Sequence, residues 1–117
     1  NGYELAINTS DKLEFSAGNG TAITTVASTV SAAVAEGKQY EVFDNGTVLS
    51  VQIDGSAAVT VARPVVTAGS STITLYRGAS TGYFNGQITE PIYRAGPPPN
   101  AYEREVIRNY QKQKAGL

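Results

Sequence analysis

The chain has 117 residues with 9 basic and 10 acidic side chains, a formal net charge of −1, and neither cysteine nor histidine. That length supports one domain with one modest core. The missing cysteines exclude disulfides and thiolate-held metal, and the missing histidines remove the commonest general base and metal ligand. A near-neutral balance gives no electrostatic basis for nucleic acid or an anionic membrane as partner. No apolar run approaches the roughly 20 residues that span a bilayer. The amino end lacks the basic start and apolar core of a signal peptide. Because it opens with Asn rather than Met, the chain reads as an excised or processed piece of a longer protein.

Residues 2–8 alternate Tyr3, Leu5 and Ile7 against Glu4, Ala6 and Asn8, the period of two that a strand requires. Residues 9–11 form its turn. Over 12–17, Leu13 and Phe15 share one face and Lys12, Glu14 and Ser16 the other, and Gly18-Asn19-Gly20 closes that strand in a hairpin loop. Residues 21–27 read as a strand, with a second extended piece around 29–33. A helix over 28–35 is the alternative, favoured by alanine and opposed by the β-branched residues.

The densest signal lies in residues 37–56. Tyr40 and Val42 alternate with Glu41 and Phe43, and Asn45-Gly46 supplies the pair expected to take positive φ in a type I′ turn. Over 47–53, Leu49, Val51 and Ile53 share one face. Asp54-Gly55 turns the chain into 57–62, where Val59 and Val61 continue the apolar face. The result is a three-strand meander, broken at Arg63-Pro64 because proline lacks a ladder donor. A further strand is expected over 72–77, then a small-residue loop over 78–82 and a last strand ending near Tyr93. Residues 95–99, Ala-Gly-Pro-Pro-Pro, are a stiff spacer. Asn100 with Glu103 has capping-box spacing and opens a helix. Tyr102, Val106 and Tyr110, with Ile107 beside them, make its apolar stripe, and Gly116 stops it.

The motifs G-K-Q-Y-E-V, N-G-T-V-L-S-V-Q-I-D-G and G-Y-F-N-G-Q-I-T-E-P-I-Y, with the first hairpin G-Y-E-L-A-I, resemble laminin-G-like domains of the concanavalin A-like lectin–glucanase jelly rolls. The final helix resembles that of phage-tail versions. The resemblance implies an all-β, antiparallel sandwich over residues 1–96, with a proline-rich spacer and C-terminal helix over 97–117 packing on it. It also implies that strands preceding the first hairpin are missing, which leaves open edges and an uncovered apolar face. One spacing departs from the family: residues 88–93 are one short and carry Pro91, which unsettles the last strand's register.

Enzymatic activity is not expected. The paired-carboxylate strand motif of the jelly-roll glucanases is absent, and Glu41 and Asp44 fall on opposite strand faces. No cofactor is expected. Calcium is a weak candidate through Asp44, Asn45 and Asp54, which are explained as well by turn formation.

Two functions stand side by side. The first is a structural or attachment module of a phage or phage-like particle, in a tail, fibre or decoration protein. Such a module contacts other copies or other virion proteins, with Tyr102, Val106, Ile107 and Tyr110 as candidate interface residues. Packing of the stripe on the chain's own sandwich is the competing expectation, the usual fate of an amphipathic helix. The second function is a lectin-like module that recognises a host-surface glycan through Tyr76, Arg77, Tyr83 and Asn85, with Phe84 and Tyr93 in structural roles. Both imply a virion or extracellular setting, without nucleic acid or membrane insertion. Asn8, Asn19 and Asn45 head Asn-x-Ser/Thr sequons that also fit turns.

Overall fold

The computed structural model describes residues 2–32, 38–67, 91–94, 96–97 and 99–116. The strands are β1 Gly2–Ile7, β2 Lys12–Gly18, β3 Ile23–Ser31, β4 Tyr40–Asp44, β5 Val48–Ile53 and β6 Val59–Ala62, followed by helix α1 Ala101–Ala115. They form two antiparallel three-stranded sheets, ordered β1-β2-β3 and β4-β5-β6. The fold is an all-β sandwich with one C-terminal helix.

Alternation decides what is buried. Leu13, Phe15 and Ala17 of β2 and Leu49, Val51 and Ile53 of β5 point inward, joined by Val26 and Ala32. Tyr40, Val42, Val59 and Val61 pack around their edge. Leu49 and Val51 are wholly enclosed. The sheets pack chiefly through β2 and β3 against β5 and β6. The β1 register, Tyr3 opposite Ala17 and Leu5 opposite Phe15, places those side chains on the core-facing side of the first sheet. Yet Tyr3 is 53% and Leu5 49% exposed. Among the described residues, the apolar face of the first sheet continues at β1 past its cover.

Several local expectations need correction. Over the described residues 21–32 there are not two extended pieces but one strand, β3, whose register against β2 shifts between Lys12 and Glu14. Ser28 fills that irregularity, its hydroxyl accepting from the Leu13 N–H and donating to the Val30 carbonyl. The helical alternative for 28–35 fails over its described residues, since β3 runs to Ser31.

Asn45-Gly46 is not a type I′ turn. Gly46 has positive φ while Asn45 does not, because the Asn45 side-chain oxygen accepts from the Thr47 and Val48 N–H groups. The positive-φ pair is Asp54 (50°) and Gly55 (71°), closed by the Ser56 N–H donating to the Ile53 carbonyl. Gly18 is required for a different reason: a Cβ there would lie 2.2 Å from the Ala22 carbonyl oxygen.

Residues 72–77 and 78–82, and most of the last expected strand, lie outside the described residues. Pro91–Tyr93 is not a strand, and Tyr93, expected to be structural, is 76% exposed.

The asymmetry of cover predicts unequal costs in urea unfolding. Leu49→Ala lowers stability by about 3 kcal/mol, whereas Leu5→Ala costs less than about 1 kcal/mol. Equal losses would mean that β1 is covered in solution.

Candidate functional site

The helix begins and ends as its sequence dictates. The Asn100 side chain accepts from the Glu103 N–H at 2.9 Å, the Glu103 carboxylate reaches back to the Asn100 N–H, and Gly116 takes the left-handed conformation at the C-terminal end. Such caps satisfy backbone groups that the helix itself leaves open.

What holds α1 to the sandwich is polar. Glu41 and Phe43 lie on the outer face of β4, beside Gln52 of β5. The Glu41 carboxylate accepts from Arg104 Nε at one oxygen and from Arg108 Nε at 3.0 Å at the other. Arg104 Nη2 also donates to Gln52 Oε1 at 3.1 Å, and its guanidinium lies 5.2 Å from the Phe43 ring centre. Gln39, just before β4, donates from Nε2 to the Arg108 carbonyl at 3.1 Å and to Gln111 Oε1 at 3.0 Å. No residue of α1 is buried. Charge-assisted bonds to Glu41, partly screened from water, contribute about 1 to 3 kcal/mol each.

The expected stripe therefore does not pack on the sandwich. Tyr102 is 75%, Val106 50% and Tyr110 44% exposed. At 3.6 residues per turn, the seam running through Tyr102 and Val106 lies about 170° around the helix from the face of Arg104, Arg108 and Gln111. Ile107 sits between them, half-buried. Of the four candidate interface residues, three look outward. Sequence reasoning missed the anchor set Gln39, Glu41, Gln52, Arg104 and Arg108. Its available signal was the pair of arginines four apart on one helix face.

A second polar cluster links the two sheets at the open edge. The Tyr3 hydroxyl donates to Asp44 Oδ2 at 2.6 Å, and Arg63 Nε lies 2.8 Å from both Asp44 oxygens. The Gly46 N–H also donates to this carboxylate. Burial pushes the Asp44 carboxyl up, but the bonds from Tyr3, Gly46 and Arg63, with the arginine's charge, outweigh it and hold it below the usual carboxylate range. The hydrogen bond to Asp44, then burial, pushes the Tyr3 phenol up. Asp44 is thus an ion-pair partner of Arg63, and Asp54 faces Lys38. Among the described residues no three acidic side chains gather as a metal site. The glycan candidates Tyr76, Arg77, Tyr83 and Asn85, with Phe84, lie outside the described residues.

Linkage fixes the sign of the pH dependence. The lowered Asp44 pKa contributes stability above its unfolded value and loses it as pH falls through the folded value; the raised Tyr3 pKa contributes below its unfolded value and loses it as pH rises through the folded one. Wild type is therefore more stable than Asp44→Asn at pH 7, and this advantage shrinks as pH falls below the ordinary carboxylate value of about 4. Its advantage over Tyr3→Phe declines above about pH 10. Urea midpoints across pH read both effects. In the helix, Glu41→Gln raises hydrogen exchange of the α1 amides about tenfold. Tyr110→Ala costs less than about 1 kcal/mol.

No protein-family profile, curated protein or solved structure matches the chain.

Proposed function

We propose that this chain is a non-enzymatic structural or attachment module that works through protein–protein contacts, in a phage or phage-like particle as its motifs suggest by resemblance. The observation that supports this reading is the direction of α1. An amphipathic helix on a small sandwich ordinarily buries its apolar stripe against its own core. Here the arginines face the sheet and Tyr102, Val106 and Tyr110 face outward. Tyrosine is favoured at protein interfaces, where its ring supplies apolar area and its hydroxyl a polar handle. The open face at Tyr3 and Leu5 offers a second apolar surface of the same kind.

Light scattering of the purified 117-residue chain, run beside a glycan array, separates this reading from a lectin. A contact module self-associates as concentration rises and gives no reproducible glycan signal. A strict monomer that binds a defined glycan would replace the contact reading with the lectin one.

A further inference from the structure

The outward face of α1 has a pattern beyond its apolar content. Tyr102, Val106, Asn109 and Gln113 recur at spacings of four, three and four, the seam spacing of a two-helix coiled coil. None of the four carries a charge. Glu105 lies along one flank near the N-terminal end, and Lys112 lies on the same flank two turns later. Both are exposed, and neither has an ion-pair partner among the described residues. On the other flank the acidic residue is again early, Glu103, and the basic one late, Lys114.

We infer that α1 pairs antiparallel with α1 of a second copy of this chain, across a twofold axis near its middle. The inference rests on the contact-module reading and names its partner. Charge selects both the partner and the direction. In an antiparallel pair, residues of this flank meet their own kind across the axis, so Glu105 faces Lys112 of the second copy and Lys112 faces its Glu105. The seam then stacks Tyr102 over Gln113 and Val106 over Asn109 of the second copy, with Tyr110 closing the edge. A parallel pair would gather the acidic ends together and the basic ends together, and would align the two helix dipoles unfavourably.

The arginine clamp makes the arrangement sterically available, because it holds the opposite side of the helix against β4 and β5. A 15-residue helix with a half-polar seam buries little area. The pairing is consequently weak and concentration-dependent, of the size class of transient contacts.

Sedimentation equilibrium of the purified chain at low salt, from about 20 µM to about 1 mM, tests it, a range suited to such small interfaces. Wild type shows a monomer–dimer equilibrium. Glu105→Lys and Lys112→Glu each weaken it by about tenfold, since each turns two attractions into two repulsions. An equimolar mixture of the two variants recovers association as a heterodimer. Circular dichroism checks that each variant keeps its helix, and Lys112→Gln gives an intermediate loss without a reversed charge. Monomeric wild type throughout the range would overturn the pairing. Association that ignores both charge reversals would overturn it too, while leaving the contact reading intact and pointing to the open β1 face.

Discussion

The orientation of α1 follows from one carboxylate. Glu41 stands on the outer face of β4 because strand alternation puts Tyr40 and Val42 inside, and each of its oxygens receives a different arginine. Arg104 and Arg108 are four residues apart, so a single acceptor engages both without bending the helix. Once they face the sheet, 3.6-residue periodicity turns Tyr102 and Val106 away from it. The apolar stripe is outward because the polar stripe is inward. Gln39 and Gln52 reinforce that choice from either side of Glu41.

A similar economy of means governs the sandwich. Among the described residues, three inward side chains on β5 and three on β2 supply most of the core, and Tyr3 and Leu5 of β1 stay about half exposed beside it. The Tyr3–Asp44–Arg63 cluster bridges the gap that hydrophobic cover leaves open. Stacking of the Tyr3 ring on Phe15, with centroids 5.6 Å apart, adds apolar contact at the same edge. The two exposed apolar surfaces among the described residues, on β1 and on α1, thus have different origins: one lies at the edge of the core, the other on a helix clamped by its charged side.

Much of this was legible from residues alone. Period-two patterns located β1, β2, β4, β5 and β6, and the Asn100–Glu103 box and Gly116 located the helix to within a residue. Other features depended on partners distant in sequence. The stripe of α1 was visible, but its direction depends on Glu41, more than 60 residues away. The turn at Asn45-Gly46 had the right letters for type I′. It fails because the Asn45 oxygen captures two backbone donors and Asp44 captures the Gly46 N–H, local bonds that compete with the hairpin geometry. Asp54-Gly55 takes the positive-φ pair instead, with the Asp54 carboxylate bound to the Gln39 N–H. The bulge at Ser28 was invisible because a buried serine reads as a break in an apolar pattern, and here its hydroxyl satisfies the ladder it interrupts.

The most direct test of the outward stripe is a nuclear Overhauser map of the helix on isotopically labelled protein at low concentration. Contacts from the Arg104 side chain to the Phe43 ring, with none from the Val106 methyls to β4 or β5, are the predicted result. Contacts from Val106 or Tyr110 to those strands, with Arg104 and Arg108 free in solvent, would contradict the account at its root.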